Sequence, residues 1–121
     1  MPWYAAHAIM YVRFTSGKQT RYPVWENVLL INARNAASAR RKAERRAKQD
    51  EGDSGGTFRW ANRPAEWVFA GLRKVVAVSH QSARPTPGDG DEITYSEYRV
   101  ANRDSLAKLV SAKSVEVQFV D

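Results

Sequence analysis

Residues 3–14, WYAAHAIMYVRF, alternate with a period of two, and this pattern limits the possible fold more than any other feature of the chain. The even-numbered positions are almost entirely apolar, whereas the odd-numbered positions mix aromatic, aliphatic and charged side chains. Side chains of a β-strand alternate between the two faces of its sheet. The stretch therefore predicts a strand with one face in the core and one half-exposed face that carries aromatic rings.

Further segments add strands and helices to this first strand. Residues 21–33 return after a turn at Ser16-Gly17, which predicts a hairpin with the first strand. Residues 35–50 predict a basic helix, because alanines recur there at helical spacing and form a narrow seam. The remaining predicted elements are two strands within 57–79, a strand at 93–101, a helix at 102–113 and a strand at 114–120.

The resulting order, β-β-α-β-β-β-α-β, predicts an α+β fold. We expect a single, mainly antiparallel sheet with two helices packed on one face. The length of 121 residues fits one domain, over 1–121. The chain has no cysteine, which excludes disulfides and Cys-ligated zinc. The apolar start at 5–12 is too short to span a membrane, so we expect a cytoplasmic protein without membrane contact.

Residues 52–56, GDSGG, have the letters that surround the nucleophile of trypsin-like serine proteases, and AAH at 5–7 resembles the run around their base. That family uses two β-barrels and about twice this chain length, and no recognisable carboxylate motif accompanies the two runs. Glycine and aspartate at this density are typical of a turn. We therefore interpret Gly52 as the end of the basic helix and 53–56 as a turn. The sequence favours a binding protein over an enzyme.

The residue types that build metal and cofactor sites are sparse. His7 and His80 are the two histidines, too few for a metal site on their own. GDGDE at 88–92 lacks the ligand spacing of a calcium loop, and we interpret it as a solvated acidic turn. No phosphate-binding glycine loop is present. We expect no metal and no cofactor, and we interpret His7 as a half-buried residue held by hydrogen bonds.

The net charge of +6 is concentrated in the first half of the chain. Residues 1–50 contain ten Lys/Arg and three Asp/Glu, and many of these cations lie on the predicted basic helix. The basic strip of that helix consists of Arg41, Lys42, Arg45 and Lys48. Such a strip can follow phosphates, so nucleic acid is an alternative partner. Aromatic rings are not interleaved with these cations, as binding of single strands usually requires, so the alternative is the weaker one.

Two helices can cover only one face of a single sheet, which leaves the odd-numbered face of the first strand open. Trp3, Ile9 and Tyr11 lie on that face, and an exposed apolar face usually marks an interface. Unless the predicted loop at 80–92 or sheet curvature covers them, we expect a homodimer or a protein partner there. The predicted binding residues are Trp3, His7, Ile9, Tyr11, Trp25 and Trp67. A third interpretation is a small enzyme with a pocket near His7, formed with Trp25 and Trp67.

Three long strings connect the chain with a known family. They are PWYAAHAIMYVRF, YPVWENVLLINA with the alanine-rich helix that follows it, and EGDSGGTFRWANRPAEWVFAGLRKVV. Together they resemble a bacterial family, domain of unknown function 4288, over most of residues 2–78. The resemblance implies a small, bacterial, cytosolic α+β domain. It implies no activity, ligand or catalytic residue, and it places GDSGG in a sequence context that is not that of a protease.

Overall fold

The computed structural model describes residues 1–79 and 85–120. The strands are β1 (Trp3–Phe14), β2 (Val24–Asn32), β3 (Arg59–Trp60), β4 (Arg63–Ala77), β5 (Tyr98–Arg99) and β6 (Gln118–Phe119). The helices are α1 (Ala36–Lys48) and α2 (Arg103–Val110). The order of elements is the one that the sequence predicts, and the α+β class is confirmed.

The main sheet has four antiparallel strands in the order β2-β1-β4-β3. β1 and β2 form the predicted hairpin, in which Tyr4 pairs with Ile31 and Met10 pairs with Trp25. The long strand β4 pairs with β1 on the other side, so β1 lies inside the sheet and β2 lies at an edge. This arrangement explains why β1 contributes more of the buried residues than any other element.

Helix α1 packs on the main sheet through its alanine seam. Ala39 and Ala43 are completely buried and Ala47 is 1% exposed. They form two core clusters with β1, in which Ala6 and Ala8 are also buried. Because the side chains on both sides are methyl groups, the axis of α1 can lie close to the sheet. Closely packed interiors of this kind tolerate little added volume. The predicted core face of β1 and the predicted seam of α1 therefore meet.

The elements β5, α2 and β6 form a separate unit beside the main sheet. β5 pairs with β6, and the two strands make a second, two-stranded sheet. No residue of α2 is buried, and Leu106 and Val110 are 50% and 79% exposed. The expectation of a single sheet with both helices on one face is therefore wrong for α2. The physical reason is that β5 and β6 pair with each other and not with the main sheet, and α2, which lies between them in the chain, buries no residue against it.

Candidate functional site

Strand register sorts the side chains of the main sheet into two faces. Paired residues of antiparallel strands point to the same side, so the even residues of β1 share the α1 face with the odd residues of β2. The opposite side is named the outer face here. Among the paired residues of these two strands, its members are Trp3, Ala5, His7, Ile9, Tyr11, Val24, Glu26, Val28, Leu30 and Asn32. Four predicted binding residues, Trp3, His7, Ile9 and Tyr11, thus lie on one face.

Trp25 and Trp67 lie on the α1 face, which corrects the predicted binding set. Both pair with even residues of β1. Their ring centroids are 4.7 Å apart, and Trp60 packs edge-on against Trp25 at 5.5 Å. The alternation of β1 alone does not determine which residues of β2 and β4 join each face. Because His7 and these two tryptophans lie on opposite faces of the sheet, the prediction that they line one pocket is wrong.

His7 is buried at the centre of the outer face, with 2% of its surface exposed. Its Nδ1 lies 2.5 Å from Glu26 Oε2, and its Nε2 lies 2.5 Å from Thr94 Oγ1. An ionised carboxylate only accepts, so Nδ1 donates to Glu26, and in the neutral ring Nε2 accepts from the Thr94 hydroxyl. A hydroxyl, an imidazole and a carboxylate in this order also occur in hydrolases. Here the imidazole is closed to solvent, and the arrangement fastens Thr94 to the sheet.

An irregularity in β4 adds Arg73 to these contacts. The pairing of β4 shifts between the partners of His7 and Ala8, which leaves Arg73 as an extra residue, and such bulges redirect side chains. Arg73 donates from Nε and Nη2 to Glu26 Oε2 at 3.0 and 2.7 Å. These bonds are the main cause of the lowered pKa of Glu26; partial burial of the carboxylate opposes them, and His7 reinforces them. The polar network consists of His7, Glu26, Arg73 and Thr94.

The chain after β4 covers one part of the outer face. Trp3 Nε1 donates to the carbonyl of Pro85 at 3.0 Å, and Arg73 Nη2 lies 3.2 Å from Ser96 Oγ. The Arg73 guanidinium also stacks over the Phe119 ring, 4.7 Å from its centroid. The expectation that the whole face is uncovered is therefore wrong around Trp3. The reason is the alternative that the sequence left open, because Pro85 belongs to the predicted loop at 80–92 and contacts Trp3.

The part of the outer face along β2 remains open. Val24, Val28 and Leu30 are 57%, 43% and 52% exposed, and these three residues are named the β2 strip. Ile9 and Tyr11 lie half-buried on the adjacent strand. Within the part of the chain that the structure describes, no strand pairs with the outer edge of β2. Apolar side chains in a row on an unpaired edge are typical of a surface that another polypeptide covers.

The predicted basic strip lies on two sides of α1. Arg41 and Lys48 are exposed on the side away from the sheet, and neither forms an ion pair with a described residue. Lys42 lies closer to β2, where its Nζ donates to the carbonyl of Asn32 at 2.6 Å. A groove of about 410 Å³, named the α1 groove, is lined by Leu29, Leu30, Ile31, Lys42, Arg45, Arg46 and Gln49. Two cations of the strip therefore face β2, and two face solvent.

The GDSGG run forms a turn, as the sequence predicts. The Gly56 N–H donates to the carbonyl and to Oδ1 of Asp53, at 3.1 and 3.0 Å. Ser54 is exposed and has a φ of 55°. Both ring nitrogens of His7 are bonded to other residues, so the resemblance to a protease motif has no counterpart in the geometry.

Gly52 does not end α1, which corrects the role predicted for it. The helix ends at Lys48, and Gln49 caps it in a helical conformation. Gly52 instead exchanges two backbone hydrogen bonds with Trp67, at 3.1 and 2.8 Å. Its φ of 126° is in a region that side chains disfavour, which is why a glycine suits this position. The two bonds tie the turn to β4.

The structure brings no metal site together in residues 1–79 and 85–120, where no group of three or more His, Cys, Asp or Glu could hold an ion. In the GDGDE segment, Asp91 Oδ2 accepts the Gly88 N–H at 2.7 Å, and the Asp91 N–H donates to the Gly88 carbonyl at 3.1 Å. These bonds form a turn. His80 and the first residues of the predicted loop, 80–84, lie outside the described residues. No described helix has the length and apolar character that crossing a membrane requires.

Sequence reasoning identified His7 but missed its partners. Glu26 is the single charged residue of β2, and an isolated charge in an apolar strand is a signal that could have found it. Arg73 carries no such signal, because its direction depends on the bulge in β4. Thr94 lies 87 positions from His7 in the sequence, so local sequence patterns cannot predict their contact.

The comparison with protein families agrees with the resemblance that the sequence motifs indicate. The family described as a domain of unknown function, DUF4288, matches residues 3–94. This range begins with β1 and ends at Thr94, so it includes the main sheet, α1 and the polar network, whereas β5, α2 and β6 lie beyond it. No curated protein and no solved structure matches the chain. Because the matched range covers most of its length, the chain belongs to the DUF4288 family.

Proposed function

We propose that this protein is a non-enzymatic interaction module of the bacterial cytoplasm that binds another polypeptide through the β2 strip. The exposure of Val24, Val28 and Leu30 in one row carries the proposal. An edge strand that meets only water commonly carries charged residues in such a row. Covering apolar side chains contributes roughly 25 cal/mol per Å² of surface removed from water. The β2 strip therefore offers a partner a source of binding free energy.

The partner is either a second copy of the chain or a different protein. A second copy would present the same strip, and two such strips could cover each other across a twofold axis. A different protein would need its own apolar row. The oligomeric state of the purified chain separates the two forms of the proposal.

Static light scattering at high micromolar concentration is the first measurement. The variant Val28→Thr/Leu30→Thr places threonine, a β-branched residue that favours strands, at both positions and reduces the apolar surface. Val110→Thr is the matched control, because Val110 is also exposed, at 79%, but lies on α2. A dimer that the strand variant dissociates and the control leaves intact supports self-association through the β2 strip.

If the wild type is monomeric, photocrosslinking in cell extract is the second measurement. A photoreactive residue placed at position 28 should then give a discrete adduct with one protein in cell extract, and one placed at position 110 should not. The adduct should be lost when unlabelled wild type competes for the partner and kept when the strand variant is added instead. A monomer without a competed adduct would contradict the proposal.

Nucleic-acid binding through α1 is a second candidate, which the exposed cations of that helix favour. Arg41, Arg45 and Lys48 are exposed and form no ion pair with a described residue. Phosphate binding through such cations weakens steeply with salt. Arg41→Glu/Arg45→Glu should abolish a salt-sensitive gel shift with single-stranded or duplex oligonucleotides. The absence of any shift at low salt with the wild type would exclude this candidate.

A further inference from the structure

The unpaired edge of β2 and the α1 groove lie side by side, and together they specify a kind of segment. We propose that β2 binds an extended segment in which apolar and acidic residues alternate, by adding it to the main sheet as a further strand. The inference rests on the proposed interaction role of the β2 strip and specifies the chemistry of its partner.

The first step concerns the backbone groups of β2. The Val12 N–H donates to the Pro23 carbonyl at 3.1 Å, and the Ala33 N–H donates to the Pro2 carbonyl at 3.0 Å. Bonded pairs alternate along an antiparallel ladder, so the odd residues of β2 bond to β1. The residues whose N–H and C=O groups point to the outer edge are therefore Val24, Glu26, Val28 and Leu30. These groups can receive the ladder of an added strand.

The second step concerns the side chains of that added strand, which would alternate between the two faces. One set would lie beside the β2 strip and should be apolar. The other set would lie over the α1 groove, where Lys42, Arg45 and Arg46 approach β2. Arg46 already pairs with Asp50 at 2.8 Å, whereas Arg45 is exposed and has no ion pair with a described residue. Acidic side chains in this set would complement these cations.

The third step excludes a second copy of β2 from this edge. A twofold pairing of two β2 edges would place two α1 grooves next to each other, with their cations in proximity. Like charges in such positions disfavour association. The odd residues of β2, which face the α1 side, also include no acidic residue: Trp25, Asn27, Leu29 and Ile31. An acidic segment of another polypeptide fits the edge better than β2 itself.

Fluorescence anisotropy with a labelled synthetic peptide that alternates valine and glutamate tests the inference. We expect saturable binding to the full chain. A peptide of the same composition with valines and glutamates in two blocks, and a peptide that alternates valine and lysine, should not bind. Val28→Thr/Leu30→Thr should abolish the signal.

The charge requirement is tested with two matched reversals on the same helix. Arg45→Glu, at the α1 groove, should weaken the alternating peptide about tenfold, the effect of losing one favourable charge contact. Arg41→Glu changes the net charge equally but lies on the solvent side, and it should leave the affinity nearly unchanged. Equal effects of the two reversals would overturn the inference, because they would indicate a response to net charge alone.

The remaining outcomes separate this inference from the proposed function. If the alternating peptide fails to bind while the β2 strip still supports a dimer or a crosslinked partner, the alternating acidic segment is wrong and the interaction role stands. If light scattering shows no dimer, photocrosslinking gives no competed adduct and the alternating peptide does not bind, both proposals are wrong. Displacement of the peptide by oligothymidine at equal salt would assign the α1 groove to nucleic acid and overturn the inference.

Discussion

The two faces of the main sheet are stabilised in different ways. On the α1 face, Ala39 and Ala43 pack with no exposed surface against an equally buried Ala6. On the outer face, a histidine, a carboxylate and a guanidinium cross three strands, and an irregular segment covers part of them. The first face is closed where the methyl groups of α1 and β1 pack together. The second is closed only where the polar network holds the chain after β4, and it stays open along β2.

This difference shows where the molecule tolerates change. A seam of methyl groups has no flexible side chain that could move aside, so added volume there is costly. The outer face relies on hydrogen bonds to charged groups, which depend on pH. The open part of that face, along β2, is the part that a partner can use.

The largest effect on stability is expected on the α1 face. Ala43→Leu adds a branched side chain at a position with no exposed surface and should lower the free energy of unfolding by about 2 to 3 kcal/mol. Ala37→Leu is the matched control, because Ala37 is an exposed residue of the same helix and should change stability little. Urea unfolding of both variants gives the comparison. Equal losses would contradict the closed packing of α1 on β1.

A smaller and pH-dependent effect is expected on the outer face. Glu26→Gln removes the charge that Arg73 and His7 share and should cost about 1 kcal/mol at neutral pH. The pKa of Glu26 is lowered in the folded protein from an ordinary value of 4.5, so its contribution is complete above that value. The contribution is lost as the pH falls through the lowered pKa. Urea unfolding in acid should therefore show a flatter decline for Glu26→Gln than for the wild type.

Glu116→Gln provides the control for this measurement, because Glu116 is exposed and forms no ion pair with a described residue. It should follow the wild-type pH dependence. If Glu26→Gln and Glu116→Gln gave the same decline in acid, the polar network would not stabilise the outer face.

Much of the fold follows from local patterns, and the outer face does not. The alternation of β1 and the spacing of Ala39, Ala43 and Ala47 are short-range signals, and they predicted the core and the helix that covers it. The contact of His7 with Thr94 joins distant positions, so no local periodicity contains it. Trp25 lies on the α1 face and not on the outer face because of the register between β1 and β2. That register can be predicted only when the length of the hairpin turn is known.

Amide hydrogen exchange along β2 tests the central claim, a free edge available to a partner, most directly. In dilute wild-type protein, we expect the odd amides, which bond to β1, to exchange slowly. The outward amides of Val24, Glu26, Val28 and Leu30 should exchange rapidly and become protected when the alternating valine–glutamate peptide is added. Slow exchange of these four amides in a monomer without the peptide would show that the edge is already covered, and it would contradict the claim.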